Sequence, residues 1–270
     1  CEKTWNTVGQ MARPAGLQAT EPTRENHPVV TRRRMAWAIA ASVLLAVALW
    51  NVQAVNRLQR LMTDHRTAVG EQRLVTLKDE STILLNTDSA VDVGYSSTVR
   101  EIHLIRGEAA VTVAPDPARP LSVIMPDLTA TALGTQFVVK TVSGRSTVTV
   151  LEHAVRVVPN RSPPTGAVTV ETGQRTRLLQ DEQLVVDTVD LEQAAAWRHG
   201  KLIFDGQPLE QLLDELDRYR TGRILLLNRS LRAHKVTGVF PLRDGDAALG
   251  LLQQASPLRV VRLGPLVVLH

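Results

Sequence analysis

Few residues in this 270-residue chain could make or break a bond, and Gly134-Thr135 is the pair that stands apart. A threonine hydroxyl can attack the carbonyl of the preceding residue, an N-to-O acyl shift whose ester is then hydrolysed by water. Glycine in front permits a backbone that a Cβ would forbid. The reaction also requires a strained peptide unit and donors for the developing oxyanion, neither of which a dipeptide reveals. The same two residues serve equally as a turn between strands. Other groupings are weaker. His65, His103, His153, His199, His234 and His270 lack metal-ligand spacing and read as surface or turn histidines. Asp244-Gly245-Asp246 matches only the start of a calcium loop and reads better as a helix N-terminus. Glu108 reads as a solvated turn carboxylate within reach of Arg100 or Arg119. Cys1 is the only cysteine, which excludes an intrachain disulfide and a cysteine-based zinc site. No metal or other cofactor is expected.

The elements around these residues divide the chain. From Gly70 onward, short runs rich in Val, Ile, Leu and Thr recur every eight to twelve residues, separated by turn residues such as Lys78-Asp79-Glu80-Ser81 and Arg106-Gly107-Glu108. That spacing predicts an all-β sandwich, barrel or solenoid over 70–189. Residues 190–270 follow a different grammar. Pro208 to Tyr219 reads as a helix with Leu209, Leu212, Leu213 and Leu216 on one face, and Asp244 to Gln254 as another with Ala248, Leu251 and Leu252 inward. Strands at Leu202-Ile203-Phe204, Ile224–Leu227 and Val236–Phe240, and a hairpin around Gly264-Pro265, complete a small α+β domain of two similar β-α-β halves. The fold class is thus mainly β with a C-terminal α+β domain. Aromatics are only 3% of the chain, so branched aliphatics must build the core.

Ahead of these domains, Met35 to Asn56 carries no charge and follows directly on Arg32-Arg33-Arg34. A bilayer span needs roughly 20 residues. Trp37 and Trp50 stand about 20 Å apart at the helical rise, which suits the two headgroup layers. The arginine triplet marks the cytoplasmic end. The resulting plan is a cytoplasmic arm at 1–34, a transmembrane helix at 35–55 and a stalk at 56–69, which continues as an amphipathic helix to about Ala68 with Leu58, Leu61 and Met62 on one face. The β-rich bulk lies outside. A buried core helix and a cleavable export signal ending at Val52-Gln53-Ala54 are the alternatives. The net charge is +4, with arginine spread through the chain, so nucleic-acid binding finds little support.

Several blocks, taken in order, resemble one family. They are Leu77-Lys78-Asp79, Leu84-Leu85-Asn86, Ile105-Arg106-Gly107-Glu108-Ala109, Arg119-Pro120, Ala132-Leu133-Gly134-Thr135-Gln136-Phe137, Thr172-Gly173-Gln174, Ala196-Trp197, Leu202-Ile203-Phe204 with Pro208-Leu209, and Asp217-Arg218-Tyr219. Their order and spacing resemble the FecR-like regulators, transmembrane anti-sigma factors of bacterial cell-surface signalling. Glu80 stands where the family often has Gly, Glu152-His153-Ala154 replaces its usual Glu-Gly, and Leu121 follows Pro120 where Phe is common. The arm is also shorter than the family's sigma-binding part. Glu2 to Met11, with Trp5 as anchor, resembles only the last helix of that part.

The resemblance implies a relay. The periplasmic signalling domain of an outer-membrane TonB-dependent receptor, engaged by an iron chelate or similar ligand, would contact the exported part of this protein. Membrane-associated proteases would then cut near and within the span, releasing the arm to an extracytoplasmic-function sigma factor. The protein would sit in the inner membrane with its bulk in the periplasm. Relatives that cleave themselves at a Gly-Thr bond in this block add weight to Gly134-Thr135. The C-terminal repeat resembles the short domain at the N-terminus of secretins and TonB-dependent transducers. It is the expected receptor contact, through an open sheet edge or exposed residues such as Arg229, Arg232 and Arg243. Two other functions compete. One is a membrane-tethered periplasmic docking or assembly protein for a secretin or transporter, with no role in transcription. The other, ranked last for want of a nucleophile-base pair or metal set, is a periplasmic enzyme such as a cell-wall hydrolase.

Overall fold

Alternating burial governs the chain from His65 to Thr188. The computed structural model describes residues 63–132, 134–161, 166–179, 183–242, 245–255 and 258–270. The expected arm, the span at 35–55 and the stalk before Thr63 lie outside these residues, as do Trp5, Arg32, Arg33, Arg34, Trp37, Trp50 and Arg243. Among the described residues no helix is long and apolar enough to cross a membrane.

The β strands in chain order are β1 (His65–Arg66), β2 (Arg73–Thr76), β3 (Thr82–Leu85), β4 (Ala90–Tyr95), β5 (Arg100–Thr112), β6 (Leu121–Ile124), β7 (Leu128–Ala132), β8 (Gln136–Val142), β9 (Arg145–Glu152), β10 (Ala154–Pro159), β11 (Val168–Glu171), β12 (Gln174–Leu178) and β13 (Leu184–Thr188). They form two sheets that face each other across one core. The first runs β1-β4-β5-β6-β7-β10-β11, and the second runs β2-β3-β5-β8-β9-β12-β13. Only β5 and β6 pair in parallel. Ile83, Leu85, Ile102, Leu104, Leu121, Phe137, Val139, Val148 and Val157 fill the space between the sheets. The arrangement is a β-sandwich, one of the three architectures the strand spacing allows.

Strand β5 belongs to both sheets. Its first half pairs with β4 and β6, and its second half from Gly107 pairs with β3 and β8. The sequence reading placed a turn at Arg106-Gly107-Glu108. The structure instead bends one continuous strand there, after a register shift opposite Ala90 and Val91. Gly107 has φ +87°, and a Cβ on it would lie 2.3 Å from Ser89 Oγ. Only glycine fits this crossing.

A second difference concerns the stalk. The sequence reading carried it as a helix to about Ala68. The sandwich already begins at β1, which pairs His65 with Val91 and Arg66 with Ala90. Thr67 is buried and its N–H donates to Ser89 O at 2.9 Å. Backbone pairing to β4 and its approach offers this segment partners that a solvated helix does not.

The C-terminal domain opens with α1 (Leu191–Ala195), capped by Asp190, whose side chain accepts from Gln193 N at 2.9 Å. A 3₁₀ turn, Ala196–His199, follows. Then come β14 (Lys201–Pro208), α2 (Leu209–Arg218), β15 (Arg223–Leu226), a short turn at Arg229–Leu231, β16 (Lys235–Pro241), α3 (Gly245–Ala255), β17 (Val260–Leu263) and β18 (Leu266–Leu269). Strands β14 and β16 form one antiparallel sheet. The other sheet runs β15-β18-β17, with β15 parallel to β18. Helix α2 buries Leu209, Leu212, Leu213 and Leu216, the face its periodicity predicts. In α3 the inward residues are Ala248, Leu249 and Leu252, while Leu251 is exposed. Positions 248, 249 and 252 share one stripe of a 3.6-residue helix and 251 falls outside it, which corrects the inward placement of Leu251.

The core of this domain does not stop at its own boundary. Ala110, Val138 and Leu151, on the outer face of the second sheet, join Trp197, Phe204, Leu212, Leu216 and Phe240 in one cluster. Phe204 and Phe240 meet edge to face, with centroids 6.4 Å apart. The second sheet is therefore apolar on both faces along β8, where Phe137 and Val139 point one way and Val138 the other. The sandwich and the C-terminal domain lie in one compact body.

Candidate functional site

The blocks that carried the family resemblance converge on two places. The first lies inside the sandwich. Arg100, on β5, has a side chain with 0% exposure. Its Nη1 donates to Asp79 Oδ2 at 2.7 Å and to Ala114 O at 3.1 Å, and its Nε donates to Arg119 O at 2.6 Å. Asp79 also accepts from Ser81 Oγ at 2.7 Å and Tyr95 Oη at 3.0 Å. Burial alone would raise the Asp79 carboxyl, but the hydrogen bonds from Ser81, Arg100 and Tyr95 outweigh it and hold the group below the usual carboxylate range. Burial and the neighbouring Asp79 push the Tyr95 hydroxyl up. Leu77-Lys78-Asp79 and Arg119-Pro120 are thus two ends of one clamp around a buried guanidinium.

The second place is the junction between sandwich and C-terminal domain. Asn86 directly follows β3, Glu108 sits on β5 just after the Gly107 bend, and Arg218-Tyr219 closes α2. Arg218 Nη1 donates to Glu108 Oε2 at 3.0 Å and to Glu215 Oε2 at 2.7 Å. Asn86 Nδ2 lies 2.8 Å from Glu108 Oε2 and 2.6 Å from Tyr219 Oη. Lys140, from β8, pairs with Glu215. Gln72 Nε2 donates to Trp197 O at 2.8 Å and to Asn86 Oδ1 at 3.0 Å. Thr87 Oγ1 donates to Arg218 O at 3.0 Å. Burial would raise the Glu215 carboxyl, but Lys140 and Arg218 override it and draw it down to about 2. Burial would lower the Arg218 guanidinium, yet Glu108 and Glu215 raise it. Burial, and then Glu108, push the Tyr219 hydroxyl up. A polar cleft of about 580 Å³ opens beside this junction, lined by Lys140, Arg175, Gln193, Gln207 and Asp214 among others.

Glu108 is therefore not the solvated turn carboxylate of the sequence reading. It is 7% exposed, and its cation is Arg218, not Arg100 or Arg119. Arg119 pairs instead with Asp116 at 2.9 Å. The role of Arg218 escaped the sequence reading because 110 residues separate it from Glu108. The available signal was a charged residue in the last turn of a strongly apolar-faced helix.

Gly134 and Thr135 lie between β7 and β8. Gly134 has φ +65° and packs on Pro115. Thr135 is 3% exposed, and its Oγ1 is buried with no hydrogen-bond partner among the described residues. Thr135 O accepts from Val113 N at 2.9 Å. A threonine hydroxyl held out of water without a partner is unusual, since buried hydroxyls are nearly always hydrogen-bonded. Arg229 and Arg232 occupy the turn between β15 and β16. Arg229 is exposed, and Arg232 pairs with Glu210 at 3.2 Å. No group of three His, Cys, Asp or Glu that could hold a metal occurs among the described residues.

The outer face of the β15-β18-β17 sheet was missed by the sequence reading. Leu225, Val268 and Val261 form one row across it, and Leu266 with Leu263 the next. Leu227 and Leu263 are 63% and 59% exposed, and Leu225 and Val261 over 40%. Arg223, in the same row as Leu266, is exposed at the rim. The sequence reading made strands of 224–227, 258–263 and 266–269 without saying which face each side chain takes.

Residues 63–156 match the family model described as FecR protein. The fold is similar to that of a proposed anti-sigma factor from Parabacteroides distasonis, known from crystal structures at 1.65 and 2.50 Å resolution. The two comparisons give TM-scores of 0.66 and 0.65 at 21% identity, each covering 76% of this chain and 97% of the other. No curated protein matches the chain.

Proposed function

We propose that this chain, which carries a FecR domain over residues 63–156, is a transmembrane anti-sigma regulator. On this reading it relays a signal from an outer-membrane TonB-dependent receptor to an extracytoplasmic-function sigma factor in iron or siderophore uptake, through regulated proteolysis. The observation that carries the reading is the order of parts: an arginine triplet, an uncharged stretch, then a FecR domain that begins within ten residues. The C-terminal domain supplies the receptor contact. Its inner side is committed to the sandwich through Arg218, Glu108 and Asn86, and its β15-β18-β17 face is left apolar with an arginine at the rim. An apolar patch of this kind on a soluble domain marks an interaction site. The matching surface on the receptor's periplasmic domain is apolar with an acidic edge.

Reporter fusions test the topology and a sigma-dependent promoter tests the output. Fusions after residue 70 should be active outside the cytoplasm, and deleting the protein should change transcription from the cognate promoter. Fusions active only inside the cell overturn the relay. Correct topology with no sigma binding by the natural N-terminal arm favours the docking or assembly role instead.

Self-cleavage at Gly134-Thr135 is a second activity supported by a specific observation, the Thr135 Oγ1 with no partner among the described residues, behind a left-handed Gly134. Thr135 Oγ attacks the Gly134 carbonyl carbon, the C–N bond breaks, and the Thr135 nitrogen takes the hydroxyl proton. Water then hydrolyses the ester to a Gly134 carboxylate and a chain that starts at Thr135. Strand β7 remains paired to β6 and β10, and β8 to β5 and β9. Both pieces would therefore stay in one sandwich. Denaturing mass spectrometry should find a fragment beginning at Thr135, and Thr135→Ala should abolish it. A single intact wild-type chain removes the claim.

A further inference from the structure

The stretch directly behind the uncharged segment is held from two sides. Its sandwich contacts are the two paired residues of β1, Thr67 N to Ser89 O at 2.9 Å, Asp88 N to Ala68 O at 3.1 Å, the buried Thr67 hydroxyl between Asn86 O and Ser89 N, and the Asp64 bonds to Asp92 and Val93 N. Beyond these, the C-terminal domain bonds the stretch directly at Gln72, runs close to it at Gly70, and braces it through the sandwich residue Thr87. Gly70 N donates to Thr87 Oγ1 at 2.8 Å, and that hydroxyl in turn donates to Arg218 O. Gln72 Nε2 donates to Trp197 O. Gly70 has φ +81°, and a Cβ there would stand 3.3 Å from Tyr219 O, so the backbone of the stretch runs close against the end of α2. The side chain of Arg218 fixes that end through Glu108, and the hydroxyl of Tyr219 fixes it through Asn86.

We infer that the C-terminal domain is a clamp on residues 63–72, and that moving the domain off the sandwich turns this stretch into a protease site. The contacts stand by themselves. The consequence rests on the relay reading, because a cut here would separate the whole FecR and C-terminal body from the segment assigned to the membrane. Open, the stretch loses the Gln72 bond to Trp197 O and the brace of Arg218 O on Thr87, and is held by its sandwich bonds alone; a short edge segment thinned in this way opens locally more often. A partner that engages the exposed sheet face and shifts the domain would in this way signal to the other end of the chain.

The test uses the purified full chain in detergent, digested with thermolysin, with the cut positions read by mass spectrometry. Arg218→Met removes the cation that joins α2 to Glu108. It should speed cutting within 63–72 about tenfold, since proteolysis follows the population of the open form. Cutting at the remote Ser143-Gly144 turn should not change. Gln72→Ala should give a smaller increase of about threefold at the same place. The inference is overturned if Arg218→Met leaves the rate within 63–72 unchanged, whether or not cutting near Val189-Asp190 rises. If Arg218→Met raises cutting everywhere, the sandwich itself has been damaged, and Gln72→Ala with Tyr219→Phe decide: acceleration confined to 63–72 supports the clamp, and none overturns it. The digestion contains no sigma factor and no receptor. A chain whose arm binds no sigma factor can still show the clamp, and a relay confirmed by promoter assays can still lack it.

Discussion

The two arginine clusters are built alike and do different work. Each sets a guanidinium against a carboxylate with a tyrosine beside it: Arg100 with Asp79 and Tyr95, and Arg218 with Glu108 and Tyr219. Arg100 joins segments of one sandwich and is sealed from solvent. Arg218 joins two domains, keeps 17% side-chain exposure, and shares its charge between Glu108 and Glu215. Such an ion pair adds little net stability over an apolar equivalent, but losing one partner leaves the other charge stranded. Within one domain that stranded charge sits in the core. At a junction the domains can part and let water in. The same chemistry therefore makes a structural staple in one place and a releasable latch in the other.

Arg100→Met should have the largest effect, lowering sandwich stability by about 3–5 kcal/mol, the cost of an uncompensated buried Asp79. Urea unfolding followed by circular dichroism should show one earlier transition. Arg218→Met should cost about 2 kcal/mol, expressed as an early separate transition of the C-terminal domain with the sandwich midpoint little changed. Adding Glu108→Gln should recover part of it, because the stranded charge is then gone. If the two arginine variants unfold identically, the contrast between staple and latch fails.

Acid sharpens the comparison. The Glu215 carboxyl is depressed to about 2 in the folded chain. Its stabilising contribution is therefore complete above the unfolded value of about 4.3 and is lost as pH falls through about 2. Glu215→Gln should be less stable than wild type at pH 6, and the gap should close across that window. Asp79 is also depressed, so acid weakens the staple in the same direction. The smallest effect concerns neither cluster directly. Glu80 and His153, at positions where the resembled family often carries Gly, adopt φ of +69° and +61°. Glu80→Gly or His153→Gly should each stabilise the sandwich by about 1 kcal/mol by relieving the left-handed conformation, without changing the rate at which the junction opens.

Legibility from sequence followed the range of the interaction. Strand positions were readable because alternation repeats every two residues and turn residues interrupt it. The α2 face was readable because Leu209, Leu212, Leu213 and Leu216 recur at helical spacing. Arg106-Gly107-Glu108 misled, because a bend in a strand and a turn between strands both demand a left-handed glycine; only the facing Ser89 distinguishes them. Leu251 misled because α3 carries apolar residues on more than one side. The fate of Glu108 was not legible at all. Its local surroundings are those of a turn, and its partner arrives from another domain.

By itself, the sequence determined the two domain grammars, the uncharged stretch behind three arginines and Gly134-Thr135 as the candidate pair for bond chemistry. These are local properties, set by side-chain period, charge and the freedom of glycine. The tertiary structure decided that β5 serves two sheets, that Thr135 Oγ1 is buried with no partner among the described residues, and that Asn86, Glu108, Trp197 and Arg218 meet beside residues 67–72. Those facts depend on which distant segments exclude water from one another, and no window of neighbouring residues contains that information.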